Sequence, residues 1–323
     1  MKAVLIGTGW RSRFYLRISE LLPSLLEIVS VYSSSLERAE KLRKEGWRCF
    51  SSLDDALSLR HDAVIVATAR DAFFHIAKEL GRRGEFILSE TSFLPLSEGQ
   101  LKELSKLEGA VMEQYPYDPI YAACIKASES IGDIDQLLIS GLHNHHAAAM
   151  ARVILSLEDE EPEEVLFFDH PSAILQTGAR DTMIINGSKE HYERKLRILK
   201  FKSSIFINDF SSNQYHNYLF EKKLEIRGEL GVVTLDGLKR VNAEGYPVFI
   251  PFLVHRDTST WNSNMTISHI TLGSENVYTN PFYPLNLNDD EIGIATIIKN
   301  IEEGKEYRKI KDGIADAVLG KLL

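Results

Sequence analysis

The sequence predicts an α/β fold: a Rossmann-type doubly wound parallel sheet followed by an α+β domain whose sheet is mainly antiparallel. Three observations carry this prediction. An apolar strand at residues 2–6 runs into a glycine-containing turn and then into a segment with helical spacing. The run AVIVA at residues 63–67 is apolar throughout, as expected of a parallel strand covered on both faces. Beyond residue 118, apolar and polar residues alternate, which is typical of an antiparallel sheet with one wetter face.

Strands and helices alternate through the first 118 residues, and this order predicts βαβ units in a parallel sheet. The predicted strands cover residues 2–6, 27–32, 62–67, 86–89 and 110–114. The predicted helices begin at Trp10 and then cover residues 36–44, 51–57, 71–83 and 97–107. Ser34 with Glu37, and Ser97 with Gln100, match the capping-box pattern at two of these helices.

The remaining residues, 119–323, predict a second domain of different character. Its predicted helices cover residues 120–130 and 146–157, and its predicted strands cover 134–140, 182–186, 195–199, 204–210, 223–227 and 231–235. Two helices at 289–303 and 312–322 close the chain, the first capped by Asn288 with Glu291 three residues on. We expect these last helices to be able to pack back on the first domain. Residues 243–283 have little periodicity and receive no assignment.

Composition and charge exclude several classes of protein. The chain has 323 residues, of which 44% are hydrophobic and 26% charged, an ordinary globular composition for two domains. Its 37 basic and 46 acidic residues give a net charge of −9, which opposes binding to nucleic acid. Two cysteines fit a reducing compartment, and no stretch approaches the roughly 18 apolar residues of a membrane span. We therefore expect a cytoplasmic protein that contacts neither nucleic acid nor membrane.

The turn after the first strand predicts a dinucleotide-binding loop. Gly7 permits the tight turn, Gly9 lets the backbone approach a pyrophosphate at the helix N-terminus, and Ser12 stands at the third glycine position of the fingerprint. The other predicted cofactor contacts of this loop are Thr8, Trp10 and Arg11. A bare G-x-G is a weak signal, but its place between the first strand and the first helix favours dinucleotide binding over a merely structural turn.

Serines follow the second strand, at the position that reads the adenosine ribose. An NAD site commonly has Asp or Glu there, which accepts from the 2′-hydroxyl. Here Ser33 and Ser34 occupy the position and Arg38 lies one turn further on, an arrangement that tolerates a 2′-phosphate. The alternative is that the serines only cap the following helix. The pattern predicts NAD(P) as cofactor and leans to NADP.

Several motifs resemble those of the glucose–fructose oxidoreductase/inositol dehydrogenase (Gfo/Idh/MocA) family. Residues 33–41 are similar to the segment after that family's second strand, and residues 62–80 to its D-A-V-I-I-A-T-P-N stretch. Glu90 lies where the family has its E-K-P signature, and residues 114–119 with 131–134 resemble its N-x-R-F-x-P and G-x-I-G-x-I segments. The resemblance implies further cofactor contacts at Ala67, Thr68, Glu90 and Gln114. It also implies a small-molecule substrate and a homo-oligomer, dimer or tetramer, formed through the open face of the second sheet.

The departures from the family pattern concern its catalytic groups. The resemblance places the family's lysine at Thr91, its next proline at Ser92, and its aspartate at Leu142, so the chain resembles an atypical branch. His146 is the family catalytic position that is retained. Hydride transfer needs a group that moves a proton, and we select His146 and Tyr115 as candidates. The alternative is that His146 caps the helix that starts there.

The histidines at the start of the second predicted helix of the second domain also suggest a metal site. His143, His145 and His146 converge only if the backbone turns there, and Asp169 and His170 are the nearest further ligands. Zinc needs three or four convergent ligands, so we predict no metal and favour a polar, substrate-facing turn.

These features together predict an NAD(P)-dependent oxidoreductase that transfers a hydride to or from a small polar carbonyl, imine or sugar-like substrate. Two alternatives stay open. A glycosidase or lyase with tightly bound NAD would retain its nucleotide and show no net absorbance change at 340 nm. A non-catalytic nucleotide-binding sensor or partner protein would bind without turnover.

Overall fold

The computed structural model describes residues 1–158, 160–180, 182–257 and 266–323. These residues form two compact units. The first unit contains Met1–Asp118, Asp257, Thr266 and Asn280–Ala315. The second unit contains Pro119–Arg256, Ile267–Thr279 and Asp316–Leu323. The chain therefore passes more than once between the units.

Within the described part of the first unit, six strands form one parallel sheet in the order β3-β2-β1-β4-β5-β6. The strands are β1 (Lys2–Ile6), β2 (Glu27–Tyr32), β3 (Cys49–Phe50), β4 (Ala63–Val66), β5 (Ile87–Ser89) and β6 (Gly109–Val111). The helices between them are α1 (Ser12–Leu21), α2 (Leu36–Lys44), α3 (Leu53–Leu57), α4 (Arg70–Arg82) and α5 (Glu98–Leu104). This strand order is that of a Rossmann fold and confirms the predicted parallel sheet. Every residue of β4 is buried, as its apolar sequence predicts.

The second unit is built on a ten-stranded sheet, counted over its described residues, in the order β18-β17-β16-β15-β14-β13-β7-β12-β11-β8. Its strands are β7 (Ile134–Ser140), β8 (Glu164–Leu175), β11 (Lys189–Lys200), β12 (Ile205–Asp209), β13 (Lys223–Gly228), β14 (Gly231–Thr234), β15 (Gly237–Val241), β16 (Pro247–Arg256), β17 (Ile267–Leu272) and β18 (Glu275–Thr279). A separate pair is formed by β9 (Gly178–Ala179) and β10 (Thr182–Met183), and the helices are α6 (Pro119–Ser128) and α7 (Asn144–Ile154). The neighbours β7 and β12 are parallel, and the other pairs are antiparallel, which confirms a mainly antiparallel sheet.

The two faces of the ten-stranded sheet differ in burial. Alternate residues of neighbouring strands share a face. One face is buried, and its residues include Leu137, Ile139, Phe206, Leu224 and Ile226. We call the opposite face the open face and define it by Leu138, Leu166, Phe168, Ile198 and Ile207. Phe168 is 52% exposed and Leu166 is 41% exposed on this face.

Two further helices, α8 (Asp289–Glu302) and α9 (Ile310–Gly320), complete the fold. The predicted capping box of α8 is confirmed, since Asn288 and Glu291 exchange hydrogen bonds between side chain and backbone. The box of Ser97 and Gln100 at α5 is likewise confirmed. None of the helices in the described ranges is long and apolar enough to cross a membrane.

Several predicted boundaries were wrong. The cap of α2 is Ser35, which accepts from the Arg38 backbone N–H, and not Ser34. The helix predicted from His146 begins at Asn144, and the strand predicted at 182–186 contains only Thr182 and Met183. The strands β3, β8, β9 and β15–β18 were not predicted; of the unassigned residues 243–283, those at 258–265 lie outside the described residues.

The turn from β1 to α1 depends on a close approach between Gly7 and β4. Gly7 has φ +117°, and its backbone N–H donates to the Tyr32 carbonyl at 3.0 Å. A Cβ on Gly7 would lie 2.2 Å from the carbonyl oxygen of Ala67, which is backbone and cannot rotate away. At Gly9, in contrast, no described atom lies within 4 Å of the place a Cβ would take. Gly7 therefore serves the fold, and Gly9 leaves the space beside the loop open.

These two glycines give a matched test of that division. Gly7→Ala should lower the free energy of unfolding by about 2–4 kcal/mol, because it adds both a backbone strain and a clash. Gly9→Ala should stay within about 1 kcal/mol of the wild type, because its methyl group meets open space. Urea denaturation followed by circular dichroism measures both. Equal losses for the two variants would contradict the assignment of the close contact to Gly7.

Candidate functional site

The N-terminus of α1 is suited to bind an anion. Its N-cap residue is Arg11, whose side chain makes no capping hydrogen bond within the described residues. The first turn of the helix contains no acidic residue. The first N–H groups of a helix have no intrahelical partner, and the helix dipole adds positive potential there. Both features favour a phosphate at this position. The open space beside Gly9 lets such a group approach the backbone.

Two buried hydroxyls beside the loop need partners. Ser12 Oγ, at the start of α1, and Thr68 Oγ1, after β4, make no hydrogen bond within the described part of the chain. Thr68 lies beside the loop, since a Cβ on Gly7 would be 3.3 Å from the Thr68 backbone nitrogen. A buried hydroxyl without a partner is unfavourable. Together with the loop, these orphaned groups fit a site that a polar ligand completes.

A buried polar network lies at the carboxyl ends of β5 and β6. The Arg11 side chain extends from the loop, with Nε donating to Glu90 Oε1 at 3.0 Å and Nη2 donating to Gln114 Oε1 at 2.6 Å. Glu90 directly follows β5, and Gln114 follows β6 by three residues. The structure thus brings together three residues that the sequence analysis selected separately as cofactor contacts.

Two residues that the sequence analysis missed complete this network. The Tyr15 hydroxyl donates to the same Glu90 oxygen that receives Arg11, and Gln114 Nε2 donates to Asp290 Oδ1 at 2.8 Å. Tyr15 lies one helical turn after Arg11, so a spacing of four residues could have signalled it. Asp290 follows Gln114 by 176 positions in the chain, and no local pattern signals such a contact.

The network fixes the protonation of its members. Burial, and then the neighbouring charge of Glu90, raises the pKa of Tyr15 well above its ordinary value, so its hydroxyl stays protonated. Burial acts to lower the pKa of Arg11, but the charges of Glu90 and Asp290 and the hydrogen bond to Glu90 outweigh it and raise that pKa. Arg11 is therefore a permanent cation inside the site.

The residues after β2 form a local turn. Ser33 is buried, and its hydroxyl donates to the Ser35 carbonyl at 3.1 Å and accepts from the Ser35 N–H at 3.3 Å. Thr8 Oγ1 lies 3.4 Å from Ser33 Oγ, which joins the loop to the end of β2. Ser34 and Arg38 are exposed beside it. Of these serines, Ser35 caps α2 and Ser34 does not.

The other predicted loop contact, Trp10, is 47% exposed and lies edge-on to Phe14, with 4.6 Å between the ring centroids. Ala67 is buried after β4, against Gly7. Tyr115 is buried at the start of a 3₁₀ helix, Tyr115–Tyr117, and its backbone N–H donates to Glu113 Oε1 at 3.2 Å. These residues therefore surround the carboxyl ends of the parallel strands in the first unit.

His146 lies in the second unit, in the first turn of α7, and is buried. The cap of this helix is His143, so the alternative that His146 caps it is wrong. The ring centroids of His145 and His146 are 3.9 Å apart, and the His143 ring stacks on Tyr215 at 4.2 Å. The histidines thus form one aromatic cluster. Among the described residues, no group of three or more His, Cys, Asp or Glu side chains is placed to hold a metal ion.

Comparison with known proteins finds a family model that is similar to the first part of the chain. The Gfo/Idh/MocA family model, described as an oxidoreductase family with an NAD-binding Rossmann fold, matches residues 1–109. No curated protein matches the sequence.

Solved structures share the fold over nearly the whole chain. A "probable dehydrogenase" from Thermotoga maritima superimposes with a TM-score of 0.66 at 16% identity, over 99% of this chain and 94% of that one. Levoglucosan dehydrogenase, in complex with NADH and levoglucosan, gives a TM-score of 0.65 at 17% identity, over 100% and 95%. The WlbA dehydrogenase from Bordetella pertussis, in complex with NADH and UDP-GlcNAcA, gives 0.64 at 16% identity, over 100% and 94%. At such identities the likeness shows the fold alone.

The match confirms the resemblance that the sequence motifs carried. Residues 1–109 are similar to the Gfo/Idh/MocA oxidoreductase family with its NAD-binding Rossmann fold.

Proposed function

We propose that this protein is an NAD(P)-dependent oxidoreductase that transfers a hydride to or from a small polar carbonyl, imine or sugar-like substrate. The observation that carries the proposal is the loop at the start of α1. It combines an uncapped helix N-terminus, the forced turn at Gly7 and the open space at Gly9. A structural turn would need the first glycine but would gain nothing from an uncapped helix or open space at the second.

The chain's own residues would divide the work as follows. The loop from Gly7 to Arg11 and the N-terminus of α1 would bind the pyrophosphate. Glu90 and Gln114 would contact the dinucleotide at the carboxyl ends of β5 and β6. The chemistry that a nicotinamide dinucleotide supplies when bound is hydride transfer. His146 and Tyr115 are the groups we propose for moving the proton, because a histidine titrates near neutrality and a phenol can donate to a carbonyl oxygen.

A sugar-like substrate is supported by the relatives of similar fold. Levoglucosan dehydrogenase is described in complex with levoglucosan, and the Bordetella enzyme in complex with a nucleotide sugar. Both complexes contain NADH. We carry the substrate class to this chain as a proposal, because the sequence identity is low.

The second candidate function is a nucleotide-binding sensor without turnover. It is favoured by Thr91, which stands where the family resemblance places a catalytic lysine. Both functions require dinucleotide binding, and they differ in whether His146→Ala abolishes turnover.

We further propose that the protein forms a homo-oligomer, dimer or tetramer, through the open face. The support is the row of aliphatic and aromatic side chains there, of which Leu166 and Phe168 are exposed at one edge. Contiguous exposed apolar surface of this kind commonly marks an interface. A cytoplasmic location is supported by the two buried free cysteines, Cys49 and Cys124.

Direct titration tests the proposed cofactor. NADH or NADPH added to the wild type should quench Trp10 fluorescence with a micromolar dissociation constant, because this exposed indole lies in the loop. Gly9→Ala should weaken that binding by about tenfold or more, because its methyl group occupies the approach to the backbone. Calorimetry on protein freed of nucleotide provides the control. Absence of binding to either dinucleotide in both assays would remove the proposal.

The NADP preference makes a separate prediction at Ser34. Ser34→Asp should raise the dissociation constant of NADPH by about tenfold and leave that of NADH within about twofold, because its carboxylate repels a 2′-phosphate. Ser34→Asn is the uncharged control of similar size and should leave both values unchanged. If the aspartate variant affects both dinucleotides equally, the site does not read the 2′-position through this loop.

The oligomer proposal is tested on the open face. Phe168→Glu should shift the molar mass measured by light scattering towards the monomer, because it places a charge in an apolar contact. Leu36→Glu is the matched control, since Leu36 is 72% exposed on α2 in the other unit. A monomeric wild type, or an unchanged mass in Phe168→Glu, would contradict the proposed interface.

A further inference from the structure

Arg11 lies in the proposed dinucleotide-binding loop, and its side chain forms an ion pair with Glu90. Arg11 comes from the loop itself, yet its side chain turns inwards and is only 17% exposed, against 10% for Glu90. It contacts residues that follow two other strands of the sheet. The loop is thus linked through one side chain to the ends of β5 and β6.

A buried carboxylate is ionised only if its surroundings favour the charge. Burial by itself raises the pKa of a carboxyl group, because the charged form loses its hydration. Arg11 and Tyr15 both donate to Glu90 Oε1, and Arg11 also brings a positive charge. The carboxylate Asp290 lies beyond, where it is held by Gln114 and is 4.0 Å from Arg11 Nη1. Further along α1, Arg17 pairs with Glu291 and not with Glu90. Arg11 is the arginine that pairs with Glu90.

One oxygen of Glu90 is left for a ligand. Both donors converge on Oε1, and no described residue hydrogen-bonds to Oε2. An ionised carboxylate oxygen accepts from hydroxyl or amide N–H groups, whereas a protonated carboxyl loses much of that capacity. The dinucleotide proposed for this site carries such donors on its ribose and on its amide.

We infer that Arg11 is a positioning residue for the dinucleotide site: it holds the Glu90 carboxylate through Oε1 and so fixes the second oxygen at the carboxyl end of β5 as an acceptor for the bound dinucleotide. This inference rests on the proposed function for its ligand, but not for the hold of Arg11 on Glu90. Arg11 acts through Glu90 and Gln114.

The inference predicts a loss of affinity for NADH when Arg11 is removed. Arg11→Met removes the donor and the charge that hold Glu90 Oε1, so it should raise the dissociation constant for NADH by about tenfold or more. Arg11→Lys, which keeps a charge, should retain most of the affinity that Arg11→Met loses. In the Glu90→Gln background the Arg11→Met change should have much less effect, because the acceptor through which Arg11 acts is already altered.

Matched variants separate this effect from a general loss of structure. Arg13→Met removes a neighbouring arginine that pairs with exposed Glu45, and it should leave the dissociation constant for NADH unchanged. The double variant Arg11→Met/Glu90→Gln removes both charges, so it should fold better than Arg11→Met and bind NADH about as weakly as Glu90→Gln does. If Arg11→Met itself does not fold, the comparison of Glu90→Gln with the wild type and Arg11→Lys still decides: unchanged affinity in Glu90→Gln overturns the inference.

Additive effects of Arg11→Met and Glu90→Gln on the dissociation constant for NADH would overturn the inference, because Arg11 would then act independently of Glu90. A wild type that binds no dinucleotide would overturn the proposed function and the ligand assigned to Glu90. Urea denaturation of the same four proteins measures the coupling between Arg11 and Glu90 without any ligand, and additive losses of stability would show that Arg11 does not hold Glu90.

Discussion

The ion pair between Arg11 and Glu90 connects the parts of the first unit on which a dinucleotide site depends. It fixes the first turn of α1 against the ends of β5 and β6, and the hydrogen bond from Gln114 to Asp290 extends the connection to α8. The backbone of Gly7 sets the other side of the same loop against β4. The loop is therefore held from both sides before any ligand arrives, which lowers the ordering cost of binding.

A buried ion pair contributes little net stability to a fold. Desolvation of two charges offsets most of their attraction, and apolar residues of the same volume often stabilise a protein as well or better. Removing one member, however, typically costs about 3–5 kcal/mol, because an uncompensated charge stays buried. Such an interaction adds little net stability, but its disruption is strongly destabilising. Its main effect is therefore to fix the geometry of the groups that form it. Such specification is useful at a binding site, where a carboxylate must be both ionised and fixed.

The parts that the sequence predicted best are those whose signal is local. The apolar run of β4, the glycines of the loop and the capping boxes at Ser97 and Asn288 each need only a few neighbouring residues. Ser34 was mistaken for the cap of α2 because three serines follow one another, and only backbone geometry selects Ser35.

The parts that the sequence did not predict depend on distant contacts. The strand β16 contains Pro247 and Pro251, which argue against a strand. Its residues alternate only between exposed and half-buried, so no fully buried face marks it in the sequence. In the candidate site, the contact of Asp290 with Gln114 bridges 176 positions, and the inward turn of the Arg11 side chain depends on Glu90, 79 positions away. Sequence analysis selected Arg11, Glu90 and Gln114 one by one, for separate reasons, and gave no sign that they form one network.

The network also limits which groups are available to move a proton in hydride transfer. Reduction of a carbonyl leaves an alkoxide unless a proton arrives with the hydride. Glu90 accepts from Arg11 and Tyr15, and the pKa of Tyr15 is raised by burial and by Glu90, so neither group is a ready donor at neutral pH. Thr91, at the position of the family lysine, has an alcohol that does not ionise in this range. Within our proposal the proton must therefore come from outside the network, and a histidine such as His146 is the side chain whose ordinary pKa lies closest to neutrality. The network and the proton donor then have separate tasks: the first fixes the acceptor for the dinucleotide, and the second supplies the proton.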